Sequence, residues 1–363
     1  MKKLILGLVI GSAFILPMNA LAQAPTPSLQ AGADAYKNKD YVTAVAHIKP
    51  FADQGHSGAQ YLLGGLTQNG HGGLDPSNAT ALFKLSAQQG YGPAQYHLAR
   101  LYYHGKRIDK SLPDALSWYK KAAAAKDSSP DVRAKAQYMI GYFHENGLSV
   151  EPSDETAALW YDKAGNGGDA KAISALGLFM ADGRGGVPQS YVGAAKLYEM
   201  ASAKGNLQAM NNLGLLYKEG QGVPASDTKA FDLFKKAADK GHPTSLTNLG
   251  VMYYEGRGAE KSFSETHKLY QLAANANEPS AIARLGDMYR KGEGVPASKT
   301  EAGKYYLRAA ELGFGQAQFN MALVYHRGYG VEKSKAKAVE WMQKAGDQKY
   351  PGAHEKLIEW GVY

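Results

Sequence analysis

The stretch AMNNLGLLYKEGQGVP, residues 209–224, decides the fold, because residues 281–296 repeat it as AIARLGDMYRKGEGVP. Both copies contain Ala-x-x-x-Leu-Gly-x-x-Tyr-x-x-Gly, and looser copies occur along most of the chain. Self-similarity at a fixed period predicts a repeat architecture. The copies begin at Ala59, Ala94, Ala136, Ala172, Ala209, Ser245, Ala281 and Ala317. Their closing glycines are Gly70, Gly105, Gly147, Gly183, Gly220, Gly256, Gly292 and Gly328, and the last four are 36 residues apart.

A second pattern follows each closing glycine and carries small residues seven positions apart, with large apolar side chains between them. In one copy these residues are Ala115, Trp118, Tyr119 and Ala122. The spacing i, i+3, i+4, i+7 marks one face of an α-helix. Each unit is therefore predicted to be two α-helices, A and then B, joined by a short turn, and the fold class is all-α.

The glycines of the unit predict two features of its geometry. Glycine after leucine in helix A, as at Gly214, costs about 1 kcal/mol in helix propensity, so we expect helix B to pack closely against it. The closing glycine, such as Gly220, is expected to end helix A, since it adopts positive φ without strain. The proline of Gly-x-Gly-Val-Pro, at Pro224 and Pro296, keeps the chain from resuming a helix at once.

These motifs resemble the Sel1-like repeat family, a relative of the tetratricopeptide repeat with a longer, glycine-rich turn between its helices. The resemblance spans about residues 59–346 and assigns eight units to residues 57–349. It implies a right-handed α-solenoid superhelix of antiparallel helix pairs. Individual copies depart from the motif: Thr67 and His144 replace the tyrosine of helix A, Ala99 and Ala322 replace its glycine, and Thr266 replaces an alanine of helix B.

The segments that flank the repeats are expected to cap the array, because the end units of a repeat protein shield its core. Residues 31–56 resemble a plain tetratricopeptide-type helical hairpin, and residues 350–363 restart helix A as a capping helix. Residues 23–30 are expected to be a flexible segment. An insertion within residues 126–135 lengthens the connection between repeats two and three. The sequence leaves open whether it is a surface loop or an excursion that contacts a partner.

The first residues have the features of a signal peptide, which we assign to residues 1–22. Lys2 and Lys3 precede an apolar run that ends at Leu16, and the expected cleavage site follows Ala22 in a small-x-small sequence. A membrane anchor is the alternative, but the apolar run is short for a helix that spans a bilayer. No later apolar stretch is long enough to cross a membrane. We therefore expect an exported protein, in the periplasm or, alternatively, secreted.

Composition narrows the classes of function. The chain of 363 residues has 44% hydrophobic and 20% charged residues, which is typical of a folded protein. The absence of cysteine excludes a disulfide framework and any thiolate metal site or nucleophile. The net charge is +8, or +6 once Lys2 and Lys3 are removed with the signal peptide. Because the basic residues are scattered, nucleic acid is not expected as a partner.

The chain contains no motif that predicts an enzyme. The glycine-rich stretch 183–186 resembles a phosphate loop only superficially, since it joins two predicted helices instead of following a strand. The sequences His-Glu-x-x-His and Gly-x-Ser-x-Gly are absent. Some cysteine-rich members of the family are linked to penicillin binding or β-lactam hydrolysis, but this chain lacks those cysteines. No cofactor or metal is expected.

The resemblance to tetratricopeptide repeats implies that helix A lines a concave groove, whose outward positions are the candidate partner-binding residues. These are Asn211, Asn212, Lys218, Asn248, Tyr254, Arg284, Asp287, Arg290, Asn320, His326 and Arg327, and repeat two adds Tyr96, His97, Arg100 and Tyr103. Asparagine amides pair with an extended backbone, and the basic residues of repeats seven and eight suit acidic side chains. Ordinary solvated helix surfaces are the alternative interpretation.

The sequence therefore favours a non-enzymatic scaffold or regulator in the bacterial cell envelope. Its expected partner is a protein or peptide, such as the periplasmic domain of a membrane protein. A secreted factor that binds a host protein is the second interpretation. An enzyme of cell-wall or β-lactam chemistry and a glycan-binding module are weaker alternatives.

Overall fold

The structure, a computed structural model, describes residues 26–362. The expected signal peptide therefore lies outside the described residues. Within residues 26–362 the chain forms nineteen α-helices and no β-strand. None of these helices is long and apolar enough to cross a membrane.

The helices form hairpins in chain order. An N-terminal hairpin consists of α1 (Leu29–Lys37) and α2 (Tyr41–Asp53). The eight repeats follow as pairs of a helix A and a helix B: α3 (Ser57–Gln68) with α4 (Ala79–Gln88), α5 (Gly92–His104) with α6 (Leu112–Ala124), α7 (Pro130–Glu145) with α8 (Asp154–Asn166), α9 (Ala170–Asp182) with α10 (Tyr191–Ala203), α11 (Leu207–Glu219) with α12 (Asp227–Ala238), α13 (Pro243–Glu255) with α14 (Phe263–Asn275), α15 (Pro279–Lys291) with α16 (Lys299–Glu311), and α17 (Gly315–Arg327) with α18 (Lys335–Asp347). The last helix is α19 (Ala353–Glu359).

Each helix packs mainly against the helices before and after it in the chain, so the hairpins stack in one direction. α11, for example, packs against α10 of the preceding repeat and α12 of its own. In such a solenoid, each unit completes its core against its neighbours. The all-α, right-handed α-solenoid expected from the sequence is confirmed.

Helix A and helix B cross where the glycine of helix A faces an aromatic ring of helix B. A Cβ on Gly214 would lie 2.7 Å from the ring of Phe234, which is fully buried. The close approach predicted from the glycine is therefore confirmed. The same contact recurs at Gly64 with Phe83, Gly141 with Tyr161, Gly177 with Tyr198, Gly250 with Tyr270 and Gly286 with Tyr306.

Repeats two and eight have alanine at this crossing. Ala99 lies in the same core cluster as Tyr119, and Ala322 lies in the same cluster as Met342. In repeat eight the aromatic ring is thus exchanged for methionine, whose unbranched side chain adapts to irregular space. Repeat two instead keeps both the alanine and the ring of Tyr119, so the pairing of alanine with methionine occurs in repeat eight.

The turn between helix A and helix B uses two glycines in the left-handed region. In repeat five, Gly220 ends α11 and Gly222 follows two residues later, both with φ of +68°. A Cβ on Gly222 would lie 2.2 Å from the carbonyl carbon of Tyr191, the first residue of helix B in repeat four. The second glycine therefore allows the turn to rest on the backbone of the preceding repeat, a contact that the motif alone does not reveal.

The insertion after repeat two is a surface turn over residues 126–129, followed by the start of a helix. Helix α7 begins inside it, at Pro130. Ser128 is buried, and its Oγ donates a hydrogen bond to the Ala122 carbonyl at 3.0 Å. Asp127 Oδ1 accepts a hydrogen bond from the Gly92 amide at 3.1 Å. The inserted residues therefore lengthen helix A and pack against the start of α5, which corrects the interpretation of the whole range 126–135 as a loop; contact with a partner stays a prediction.

Helices close both ends of the described chain. Ser28 Oγ accepts a hydrogen bond from the Ala31 amide at 3.3 Å, so α1 begins within the segment expected to be flexible. At the other end, Ala353 and Leu357 of α19 are buried in a cluster with Met342 of α18. The last helix thereby covers the core of repeat eight.

Candidate functional site

Four cavities open along the A helices, and we call the surface that they form the helix A groove. They lie between repeats one and two, across repeats three to five, between six and seven, and between seven and eight, with volumes of about 510, 670, 110 and 440 Å³. Among the predicted partner-binding residues, those that line these cavities are His97, Arg100, Asn212, Tyr254, Arg284, Asp287, Arg290, Asn320 and Arg327. These side chains are therefore placed where a ligand in the groove would touch them.

The cavity across repeats three to five, which we call the tyrosine cavity, was not predicted. Tyr138 and Tyr142 of α7 form one wall, and Leu178 of α9 contributes an exposed apolar side chain. Ser174 and Ala175 of α9 form its floor. Ser174 occupies in repeat four the register position that Tyr138 occupies in repeat three. The cavity therefore arises because large side chains on one helix A face small side chains on the next.

The walls of the tyrosine cavity are held in place by neighbouring groups. The rings of Tyr138 and Tyr161 stack with centroids 5.6 Å apart. Tyr161 donates a hydrogen bond from its hydroxyl to Glu145 Oε2 at 2.5 Å. Burial raises the pKa of Tyr138 to about 12, and burial together with the Glu145 contact raises the pKa of Tyr161 further. Both phenols are thus neutral at physiological pH and present an apolar ring with a polar tip.

Arg184 fixes the carboxylate at the edge of this cavity. Its Nη2 donates to Glu145 Oε1 at 2.5 Å, and its Nη1 donates to Asp154 Oδ1 at 3.1 Å. The guanidinium also lies over the ring of Phe179, 4.0 Å from the centroid. Arg184 is therefore a bridge between repeats three and four, in keeping with the interpretation that residues 183–186 are not a phosphate loop.

Asn211 does not present its amide to a partner, contrary to the prediction. It is 1% exposed. Its Oδ1 accepts hydrogen bonds from Ser245 Oγ at 3.1 Å and from Asn248 Nδ2 at 2.8 Å. The side chain lies where α11 packs against α13, and a buried amide requires such partners. Asn211 therefore joins repeats five and six, and the contact also occupies the amide nitrogen of Asn248.

Four other predicted residues lie outside the four cavities: Tyr96, Tyr103, Lys218 and His326. His326 stacks on Trp360 after α19, with ring centroids 4.3 Å apart and planes 3° apart, so the C-terminal cap covers one face of its imidazole. The Lys218 side chain is 20% exposed and its Nζ lies 3.4 Å from Glu219 Oε1. The prediction that they contact a partner has no support from the cavity geometry.

Two basic residues of repeat seven, Arg290 and Lys291, are partly neutralised by neighbouring acids. Arg290 Nη2 lies 3.4 Å from Asp287 Oδ1. Lys291 Nζ lies 3.6 Å from Glu293 Oε2 and donates to the Tyr254 hydroxyl at 3.0 Å. The Tyr254 hydroxyl in turn donates to Glu293 Oε2 at 2.9 Å. This part of the groove is therefore a network of internal contacts more than an open positive surface.

In repeat two, His97 and Arg100 line the cavity of about 510 Å³. His97 Nε2 lies 3.1 Å from Gln68 Oε1, and its ring contacts Phe83 with centroids 4.1 Å apart. Burial, with the nearby Arg100 charge, lowers the pKa of His97 to about 4. The imidazole is therefore neutral at physiological pH, and the positive charge of this cavity comes from other residues.

The repeats correspond to a known family. A Sel1 repeat family model matches the chain in eight segments: residues 57–91, 92–127, 134–169, 170–206, 207–242, 243–278, 279–314 and 315–350. The chain belongs to the Sel1 repeat family. The matched segments coincide with the eight hairpins, and their interruption between residues 127 and 134 falls within the insertion. Sel1 repeat proteins are typically protein-interaction scaffolds.

Two solved structures of bacterial proteins are similar over most of this Sel1 repeat protein. One is a protective antigen present in uropathogenic Escherichia coli strains, which has 27% identity, a TM-score of 0.61, and coverage of 87% of this chain and 70% of the other. The second is a Sel1 repeat protein from Oxalobacter formigenes, with 27% identity, a TM-score of 0.57, and coverage of 87% and 89%. Both similarities extend well beyond a single repeat.

A curated relative shares a shorter segment with this Sel1 repeat protein. The DAP3-binding cell death enhancer 1 of Rattus norvegicus is 37% identical over 82 residues, which are 22% of this chain and 16% of that protein. This chain thus spans a small part of that relative's length.

The Sel1 units of this chain keep their core positions and vary at the groove. The register position two after the first small residue of helix A holds Tyr61, Tyr96, Tyr138, Ser174, Asn211, Thr247, Ala283 and Phe319. Large aromatic residues in repeats one to three thus give way to smaller ones in repeats four to seven. This change in size is the sequence signal that would have located the tyrosine cavity. Among residues 26–362, no group of three or more acidic or histidine side chains could hold a metal ion.

Proposed function

We propose that this Sel1 repeat protein is an exported bacterial scaffold that binds a peptide segment of a protein partner in the helix A groove, without catalysing a reaction. The tyrosine cavity carries this proposal. Its volume of about 670 Å³ is in the range of known ligand sites. Tyrosines offer large contact areas with little conformational freedom to lose, and they are enriched where proteins bind each other.

The polar groups around the tyrosine cavity suit an extended peptide backbone. Gln208 and Asn212 lie on the wall opposite Tyr138 and Tyr142. Gln208 Nε2 donates to Asn212 Oδ1 at 2.8 Å, which orients both amides. An apolar side chain of the partner would occupy the cavity, while these amides pair with backbone groups. This division of roles is common in peptide recognition.

The cell envelope is our proposed location, in the role of a regulator or assembly factor that holds the periplasmic domain of a membrane protein. The signal-peptide features of residues 1–22 favour export. One structural relative is a protective antigen, and protection requires an antigen within reach of the immune system. A released factor that binds a host protein is the second candidate. Cell fractionation separates the two, because protein confined to the periplasm contradicts release.

A cavity-filling variant tests the groove directly. Ala175→Phe places a ring in the tyrosine cavity without removing any wall residue. Ala203→Phe makes the same change at an exposed position of α10 outside the cavity and is the control. In crosslinking and capture from envelope extract, we expect the wild type and Ala203→Phe to retain a common protein that Ala175→Phe loses. Equal retention by both variants, or no retained protein with folded bait, contradicts the proposal.

The absence of catalysis is tested separately. Purified protein is expected to leave a chromogenic β-lactam and peptidoglycan fragments unchanged. Hydrolysis that one substitution in the groove abolishes would replace the scaffold proposal with an enzyme.

A further inference from the structure

The cavity between repeats one and two, which we call the cationic cavity, is lined by basic residues and by no carboxylate. Arg100 and His104 come from α5, and Lys106 and Arg107 come from the turn that follows. Gln68, Asn69, His97 and Leu101 complete the lining. The volume is about 510 Å³. In repeat seven, by contrast, acids lie beside Arg290 and Lys291.

The positive charges of the cationic cavity have no ion-pair partner in the part of the chain that the structure describes. Among residues 26–362, no carboxylate oxygen lies within 4.0 Å of a nitrogen of Arg100, Lys106 or Arg107. Arg107 makes one hydrogen bond, from Nη1 to the Gln68 carbonyl at 2.8 Å. In contrast, Arg184 and Arg257 in later turns each bind carboxylates.

The local field confirms an excess of positive charge. Burial lowers the pKa of His104, and the charges of Lys106 and Arg100 lower it further. His97 is affected in the same direction by burial and by Arg100. Like charges that lower the pKa of neighbouring bases indicate a site that favours an anion.

The backbone at Arg107 shows that the fold alone does not require arginine there. Its φ is +61°, in the left-handed region that glycine adopts without strain. The corresponding turn position in repeats four to eight is glycine, as at Gly222. A charged residue held in a strained conformation beside two other cations points to a role in binding.

We propose that the cationic cavity binds an acidic segment of the same peptide that occupies the helix A groove, an inference that rests on the proposed function. Its volume accommodates more than one side-chain carboxylate and exceeds what a single phosphate ion fills. The two guanidinium groups suit bidentate pairing with carboxylates, and Lys106 adds a mobile point charge.

The cationic cavity and the tyrosine cavity share no lining residue, but both open along the A helices. Tyr103 precedes His104 of the cationic cavity and is hydrogen-bonded to Tyr142, which lines the tyrosine cavity. A peptide that occupied both cavities would run along the A helices past Tyr103. Charge complementarity favours an acidic segment as the occupant, because the lining of the cationic cavity holds cations and no carboxylate.

Binding of a fluorescently labelled oligoglutamate peptide to the purified protein tests this inference. The variant Arg100→Gln/Lys106→Gln/Arg107→Gln removes three positive charges from the cavity. The control Lys196→Gln/Lys236→Gln/Lys240→Gln removes the same charge from exposed lysines outside it. We expect fluorescence anisotropy to show binding that the cavity variant weakens at least about ten-fold and the control less than about two-fold. Rising ionic strength should weaken the wild-type complex.

A second variant tests whether the loss of binding comes from a local folding defect. Arg100→Gln/Lys106→Gln keeps the Arg107 contact to the Gln68 carbonyl and should still weaken binding more than the control. Equal weakening by the cavity and control variants would show a response to net charge and overturn the site. Tight binding of inorganic phosphate or of phosphatidylglycerol vesicles, without oligoglutamate binding, would overturn the peptide assignment in favour of a phosphate site.

The outcome is distinguishable from that of the proposed function. Ala175→Phe lies in the other cavity and should leave oligoglutamate binding unchanged. Suppose that the oligoglutamate peptide fails to bind, while Ala175→Phe loses the protein that the wild type retains. This inference alone is then overturned. If oligoglutamate binds while Ala175→Phe has no effect on capture, the cationic site is supported and the role of the tyrosine cavity is overturned.

Discussion

Gly214→Ala is expected to destabilise the protein through the crossing of helices A and B in repeat five. The new Cβ would lie 2.7 Å from Cε1 and 3.0 Å from Cδ1 of Phe234, whose side chain is fully buried. Overpacking of this kind costs about 1–3 kcal/mol. The change from glycine to alanine within a helix contributes about 1 kcal/mol in the opposite direction. The expected net loss in the free energy of unfolding is therefore about 1 kcal/mol.

Gly65→Ala is the matched control, because it makes the same change in helix A of repeat one. No atom lies within 4 Å of a Cβ placed on Gly65, so helix propensity alone should stabilise this variant by about 1 kcal/mol. The difference between the two variants isolates the overpacking and should be about 1–3 kcal/mol. Urea unfolding followed by circular dichroism measures it, provided that the denaturant slope is unchanged.

The pairing of Ala322 with Met342 in repeat eight suggests how to relieve the strain. Phe234→Met should leave space for the side chain of alanine at position 214. The double variant is then less destabilised than the sum of the single variants, by at least about 0.5 kcal/mol. Equal stabilisation by Gly214→Ala and Gly65→Ala, or additive effects in this cycle, would refute the reasoning that glycine and ring are matched.

Two further predictions follow from single contacts. Gly222→Ala should cost more than about 3 kcal/mol in urea unfolding, because positive φ strains alanine and its Cβ would overlap the Tyr191 backbone. Gly241→Ala, with φ of +79° and open space around it, should cost only about 1–2 kcal/mol, and similar losses for both variants would contradict the inter-repeat contact. His97 has a folded pKa of about 4, below its ordinary value, so the unfolded chain binds more protons and up to about 3 kcal/mol of stability is lost as pH falls from about 6.5 to 4. Unfolding at both pH values should show a smaller loss for His97→Gln, and an unchanged loss would contradict the assignment.

The fold could be predicted from the sequence because its determinants recur in every unit. The glycine that helix B approaches, such as Gly214, and the glycine that ends helix A are both visible as repeated letters. The insertion was misinterpreted although it carries a helix start: Ser129 Oγ accepts a hydrogen bond from the Val132 amide at 3.3 Å, and Pro130 occupies the first turn. Serine followed by proline is typical of that position, but the loop-forming tendency of both residues favoured the other interpretation.

The binding surface was only partly predictable, because adjacent helix positions differ by about 100° in direction. Asn212 lines the tyrosine cavity, whereas Asn211, one residue earlier, is buried against repeat six. The sequence pattern of one helix does not show which neighbour covers which face. Tyr138 and Tyr142 were missed for a related reason, since the cavity depends on the small size of Ser174 in the next repeat.

Charge in the groove could not be predicted from residue counts alone. The expectation of a basic surface in repeats seven and eight counted Arg290 but not its contacts with Asp287 and the Tyr306 hydroxyl. Asp287 and Arg290 lie three residues apart on one helix, a spacing at which side chains meet. The sequence therefore already indicated this ion pair. The contact of Lys291 with Tyr254 joins two repeats, so it could be recognised only in the structure.

The ion pairs within the protein decide which basic residues of the groove remain available to an acidic ligand. An ion pair already made within the protein must be broken or shared before its arginine binds a ligand, and both steps reduce affinity. Arg290 is already paired with Asp287, whereas Arg100 and Lys106 have no carboxylate to release. An acidic ligand therefore gains more from Arg100 and Lys106 than from Arg290. Because the tyrosine cavity lies in repeats three to five, repeats one to five combine its apolar volume with these available charges.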